Sequence, residues 1–373
     1  MRSGEIRISN RSLYSGDQPF GGDFSMTMLS RLLLTPNPAN DAGIGEITHA
    51  EFDDMAALAQ ENHVIVRALN VFRRLMNEAG DSERASWASD AIEREEARIE
   101  NAVSFLQRIC RALSEANCQA IVIKSLDHWP DLGSDLDLYT DSEPANVICV
   151  MRDSFHAELA ERSWGDRMAH KWNFIVPGLP ESVEIHMGRL GQTGEQLAVA
   201  SSLIGRSRKI QIGDRPFGVT AVVDGLMICT LQRMYRHFYA RLCDIVDTAE
   251  LLETEGVDYE DLLFSAQEAG IWEGVATFLA IVSDYVKCFR GKGINLPPLV
   301  KAAARFRGDQ VHFGKGFLRI PILPHSAKLY ASQLTSLMTK GELKSAARLS
   351  VLPCLAAAAA LQYKVTGSDK GIW

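Results

Sequence analysis

No apolar run in this 373-residue chain is long enough to cross a bilayer. The longest, Val351 to Leu361, is broken by Pro353 and falls well short of the roughly 20 residues a spanning helix needs, so a buried helix is expected there. The seven cysteines, at 110, 118, 149, 229, 243, 288 and 354, make no Cys-x-x-Cys and no cysteine–histidine spacing of the zinc type. Reduced, mostly buried thiols are expected. Met1-Arg2-Ser3-Gly4-Glu5 lacks the charged-then-apolar order of a secretion signal, and a cytoplasmic location is expected. Gly-x-Gly-x-x-Gly, the Walker loop, Gly-x-Ser-x-Gly and His-Glu-x-x-His are all missing, which removes Rossmann, P-loop, hydrolase and zinc-protease chemistry. Positive charge is also in deficit. A net charge of −8 argues against a surface built to hold nucleic acid, although six cations between Lys301 and Lys328 stand against Asp309 alone.

With 46% hydrophobic and 23% charged residues, the chain can bury a sizeable core. Residues 1–45, rich in Gly, Ser, Asn and Pro, predict a loose arm with one short helix near 25–34. Over 46–118, Phe52, Met55, Leu58, Val66, Leu69, Phe72 and Met76, then Ile92, Ile99, Val103, Leu106, Ile109 and Leu113, recur at three- and four-residue intervals or multiples of them. Amphipathic helices are expected. The period then changes: 119–124, 135–140, 170–176 and 182–187 predict strands, the last two an antiparallel hairpin, and 209–212 and 217–220 add short ones. Helices are predicted near 222–238, 241–254, 258–269, 272–289 and 326–364. The expected fold is therefore α+β: N-terminal helices, a small mixed sheet core over 119–220, and a large C-terminal helical domain over 221–373.

Candidate chemistry concentrates in the sheet. Side chains two apart on a strand share a face, so Asp135 and Asp137 present paired carboxylates of the kind that hold divalent metals, a pattern that ordinary turns also produce. Ten residues earlier stands Ser125, preceded by Lys124, where the first strand should give way to a short helix. A helix start offers N–H groups and the positive dipole end to a phosphate. Ser134 leads directly into the aspartate pair. Glu184 and His186 share one face of a later strand, and Lys171 and Asn173 share one face of the strand before it. Glu184 beside the pair would complete a three-carboxylate site for two Mg²⁺ ions, with Mn²⁺ as the alternative, and Lys171 could neutralise a departing pyrophosphate. His186 is either a contact to phosphate or acceptor, as Asn173 could be, or a fixed hydrogen-bond partner. Arg241 either joins Tyr235, Arg236 and Tyr239 in holding a base or acceptor, or pairs with Asp244 on a helix surface. His128 and Trp129 either border a ligand or pack locally.

Taken together, Ile121-Val-Ile-Lys-Ser125, Gly133-Ser-Asp-Leu-Asp-Leu-Tyr139 and Val183-Glu-Ile-His186 resemble the nucleotidyltransferase superfamily. The closest likeness is to bacterial nucleotidyltransferases in which a lysine closes the first strand ahead of Asp-x-Asp. The resemblance implies Mg²⁺ on Asp135 and Asp137, Glu184 as the third carboxylate, and Lys124 and Ser125 beside the nucleotide phosphates. It also implies transfer of a nucleotide from an NTP, ATP first, to a hydroxyl or phosphate of a small molecule. A tRNA or protein acceptor, and a non-catalytic nucleotide-binding scaffold, are the alternatives. Two departures stand out: Lys-Ser replaces Lys-Gly, and Glu184 stands where aspartate is commoner.

Overall fold

The computed structural model describes residues 23–38, 42–254 and 256–358. In chain order, α1 (Phe24–Leu34), α2 (Ala42–Gly45), α3 (His49–Glu61), α4 (Ile65–Glu78) and α5 (Ser82–Glu115) precede the sheet. Asp23 caps α1, its carboxylate accepting the Met26 N–H at 2.9 Å, and Met26, Met28, Leu29, Leu32 and Leu34 are buried. The expected loose arm thus contains a docked helix; residues 1–22 and 39–41 of that arm lie outside the described residues. Thr48 and Glu51 close a reciprocal capping box on α3. α5 runs 34 residues, and its apolar stripe from Ala85 through Ile92, Ile99, Val103, Leu106 and Ile109 to Leu113 is buried against α4, β1 and β7.

The sheet strands are β1 (Ala120–Val122), β2 (Asp135–Thr140), β3 (Glu158–Leu159), β4 (Lys171–Ile175), β5 (Ser182–Met187), β6 (Arg208–Ile212) and β7 (Arg215–Val219). α6 (Pro144–Phe155), α7 (Trp164–Ala169) and α8 (Leu197–Arg206) connect them. The spatial order is β3-β4-β5-β2-β1-β7-β6. β2–β5 and β1–β7 pair parallel and the remaining neighbours antiparallel, so the sheet is mixed, as expected. α6 ends at His156 in a left-handed conformation, and the edge strand β3 follows it directly.

The helical half comprises α9 (Val222–Thr230), wide π-type turns over Leu231–His237, α10 (Leu242–Thr254), α11 (Tyr259–Glu268), α12 (Trp272–Arg290), α13 (Pro298–Ala303), α14 (Ala327–Thr339) and α15 (Leu343–Ser350). α12 is apolar nearly all round because neighbours enclose it: α1, α9, α10, α11 and α13 pack on it, and Phe278, Leu279, Ile281 and Val282 are buried. Ser30 Oγ and Tyr285 OH, 2.7 Å apart, tie α1 to this helix. One contiguous apolar core therefore runs from Met26 to Leu329 through both helical regions and the sheet. The helix expected over 326–364 breaks at Gly341, whose φ of +76° suits glycine, and 359–364 lies outside the described residues. A small second sheet, β8 (Tyr239–Ala240), β9 (His312–Gly314) and β10 (Phe317–Arg319), was not legible in the sequence. No helix among the described residues is long and apolar enough to cross a membrane. No disulfide links the cysteines; only Cys118 and Cys243 are buried, and Cys149, Cys288 and Cys354 are exposed, contrary to the expectation of mostly buried thiols.

The connection from β1 to β2 carries most of the candidate residues, and buried charges hold it. The first turn of α4 has no cap from its own sequence. Asp131 supplies one from afar, accepting Val66 N at 2.6 Å and Arg67 Nε at 2.7 Å with its carboxylate fully buried. Arg67 also reaches Asp247 of α10. Asp131→Ala is expected to cost about 3–5 kcal/mol in urea unfolding, since it removes both the cap of α4 and one of the two carboxylates that pair with the Arg67 guanidinium. A loss below about 1 kcal/mol would show that the connection is held otherwise.

Candidate active site

β2 and β5 run parallel in a register that sets Asp137 across from Glu184, and Asp135 across from Ser182. On the far side of β5, Asn173 stands across from Glu184 and Lys171 across from His186. Cross-strand partners share a face of the pleat, so the acids, the lysine, the asparagine and the histidine all face one side. Lys124 joins them from the end of β1. Its φ of +65° lies in the left-handed region that favours glycine, and its Nζ is 2.5 Å from Asp137 Oδ1 and 3.8 Å from Glu184 Oε1.

Glu184 is the hub. Lys171 Nζ donates to its Oε2 at 2.9 Å while also meeting Asp166 at 2.9 Å, and His186 Nε2 is 2.8 Å from its Oε1. Burial pushes the Glu184 carboxyl up, but Lys124, His186 and Lys171 outweigh it and hold the group well below the usual range. Asp137 goes the other way. Burial, with Glu184 and Asp135 nearby, pushes it up to about 7 against the pull of Lys124. Asp135 is exposed at the rim and is raised by burial and by Glu184. Two lysines thus fall short of neutralising the acids gathered here.

Several expected roles change once the contacts are seen. The segment after Ser125 forms successive turns to Pro130, so no helix start with free N–H groups lies there. The Ser125 hydroxyl accepts Asp137 N–H at 2.7 Å and donates to Asp135 C=O at 3.2 Å, locking the β1–β2 connection to β2. It is buried in that task. Ser134 is exposed beside Asp135, 3.4 Å from its carboxylate. Asp135 lies outside the tightest donor group, which is Asp137, Glu184 and His186, with one atom of each within 4.8 Å of the others. Arg241 and Asp244 do not make a surface pair. Asp244 is buried, accepts Arg241 N–H at 2.7 Å to start α10, and pairs with Arg233 Nε at 2.7 Å. The Arg241 guanidinium instead lies near the Tyr239 and Phe317 rings, which stack at 4.6 Å. Two of the six cations of the basic stretch are paired locally: Arg305 with Glu273 and Arg307 with Asp284, both on α12.

Two cavities share Lys124 as a wall. One, about 50 Å³ and mainly apolar, is lined by His186, Leu231, Tyr235, Arg236 and Gln333. The other, about 320 Å³, lies between β6–β7 and helices α9–α10, and His128, Trp129, Arg208, Arg233 and Asp247 line it. Arg236 was singled out in the sequence, but Arg233 was missed because 222–238 reads as one ordinary helix. The widened turns over Leu231–His237 carry Arg236 on the wall of the smaller cavity and Arg233 on that of the larger. Comparison with known families, with curated proteins and with solved structures finds no match to this chain. Geometry alone therefore carries the functional reading.

His186 is the residue most open to direct measurement. Burial lowers its pKa to about 4, while Glu184 pulls upward, and Nδ1 is buried without a partner among the described residues. In histidine-labelled NMR of the metal-free protein, the ring should stay neutral with its proton on Nε2 from pH 7 down to about 5. Glu184→Gln should lower its titration further. A ring that titrates near 6.5 would contradict the buried, Glu184-bound placement.

Proposed function

We propose that this protein is a metal-dependent nucleotidyltransferase that moves a nucleotide from an NTP to a hydroxyl or phosphate of a small molecule, with release of pyrophosphate. The observation that carries it is the shared face of Asp135, Asp137 and Glu184 on paired parallel strands, with Lys124 and Lys171 among them. The donor set suits a divalent cation. Asp137 is raised by burial and by the neighbouring Glu184 and Asp135 against the pull of Lys124, and the Nδ1 of His186 is buried with no partner among the described residues. Asp135, Asp137 and Glu184 would hold Mg²⁺ or Mn²⁺, and a bound ion would supply charge neutralisation for a triphosphate.

The chain's own residues do the rest. Lys124, which contacts both Asp137 and Glu184, is placed to exchange a carboxylate for a phosphate oxygen. Lys171 keeps Glu184 oriented through Asp166, and Arg236 brings a further positive charge to the wall shared with Lys124 and His186. In the reaction the acceptor oxygen bonds to the α-phosphorus as the bridging P–O bond breaks. Pyrophosphate leaves with the electron pair, and a hydroxyl acceptor's proton passes to a carboxylate of the site. The larger cavity, between the sheet and the C-terminal helices, has the volume of a small-molecule site. Arg305 and Arg307 of the 301–328 stretch are engaged with α12, which favours a small-molecule acceptor over a macromolecule.

The test is pyrophosphate release from each NTP, in Mg²⁺ or Mn²⁺, against pools of small hydroxyl and phosphate acceptors. Asp135→Ala and Asp137→Ala should each lower turnover about 100-fold or more. Undiminished turnover in both variants would sink the proposal. Tight nucleotide binding with no release by the unaltered chain would favour a scaffold instead.

A further inference from the structure

Behind the connection that joins Lys124 to Asp135 lies a second group of ligand-type side chains. His63 comes from the corner between α3 and α4, His128 from the turns after β1, and Cys243 from the first turn of α10. One donor atom of each lies within 4.8 Å of the other two. His128 Nε2 is 3.7 Å from Cys243 Sγ, and the two imidazole rings have centroids 5.7 Å apart. His63 Nδ1 is buried with no hydrogen-bond partner among the described residues, an arrangement that costs free energy unless something occupies it.

We infer that His63, His128 and Cys243 form a binding site for one soft divalent cation, zinc in the first instance, distinct from the carboxylate site on β2 and β5. Ligands about 2.0–2.3 Å from a tetrahedral ion stand about 3.5 Å apart, close to the His128–Cys243 separation. Two imidazoles and a thiolate select zinc over magnesium, which prefers oxygen. Behind His128, Asp247 Oδ2 lies 2.5 Å from Nδ1, fixing the ring so that Nε2 faces the sulfur, and Arg67 holds Asp247 in turn. The nearby Arg241 guanidinium lies against the Tyr239 and Phe317 rings. The other guanidinium groups nearby are occupied: Arg67 by Asp131 and Asp247, Arg98 by Glu95 and Glu181, Arg233 by Asp244.

A cysteine–histidine–aspartate nucleophile is the competing reading of the same atoms. Cys243 has no exposed surface, so a substrate does not reach its sulfur, whereas an ion does. Binding replaces the thiol proton with the metal, and three protein donors leave a fourth place for water. The ion would clamp the turns after β1 between the α3–α4 corner and α10. Gly133, where an added Cβ would stand 3.0 Å from His63 Cε1, shows how closely that connection already packs against the cluster.

The inference does not rest on nucleotidyl transfer. Elemental analysis of the full chain, purified without chelator, should find about one zinc per chain. After stripping, a cobalt(II) titration should saturate near one equivalent, with ligand-field absorption and a thiolate-to-cobalt charge-transfer band. Cys243→Ala and His63→Gln should lose the band and about tenfold or more of the affinity, while Asp137→Ala keeps both. A variant lacking the exposed thiols, C149S/C288S/C354S, should also keep the band, and it decides the matter if the cluster variants fail to fold. The inference is overturned if the stripped chain shows no thiolate–cobalt band, if that triple variant loses it, or if Cys243→Ala binds as the unaltered chain does.

Discussion

Everything at the candidate active site depends on one lysine ammonium set among carboxylates. Lys124 reaches Asp137 and Glu184 from a backbone conformation that glycine would adopt more readily, and the cost is tolerated because the ammonium offsets charge that burial would otherwise make prohibitive. Even so, the cluster is divided. Glu184, with Lys171 and His186 added, is held ionised, while Asp137 is pushed toward protonation. Two lysines therefore leave the acids gathered on this face incompletely neutralised.

The strain at Lys124 can persist only where its surroundings are rigid, and the β1–β2 connection is pinned at several points. Ser125 ties its beginning to the backbone of β2. Asp131 caps α4 and binds Arg67, and Arg98 from α5 donates to the carbonyls of Leu132 and Gly133 while meeting Glu95 and Glu181. The His63–His128–Cys243 cluster lies against the middle of the same connection. Side chains from the α3–α4 corner, α4, α5 and α10 thus converge on roughly a dozen residues that have no regular structure of their own. Such density of polar support around an irregular segment is what a preorganised site requires.

The two helical regions serve as a frame. α1 docks on α12 through buried methionines, leucines and the Ser30–Tyr285 bond, so helices from the start of the chain and from its C-terminal half share one core. That continuity keeps α10, which supplies Cys243, Asp244 and Asp247, in fixed relation to the sheet that carries the acids.

Local pattern was enough to define the α+β class, the strands at 135–140 and 182–187, and the common face of Asp135 with Asp137, because a period of two or 3.6 is written in consecutive residues. It was also enough to single out Lys124, Lys171, Glu184 and His186 as neighbours in waiting. What it could not contain was pairing register, the turns in place of a helix after Ser125, the widening over Leu231–His237, or the second sheet, since each depends on partners far away in the chain. The hydroxyl of Ser125 shows the difference: its position suggested a phosphate contact, and only packing revealed that β2 already uses it. His63, His128 and Cys243 show it again. Separated by 65 and 115 residues, they make no spacing motif, and a cluster of donor atoms is created solely by the fold that brings three distant segments into contact.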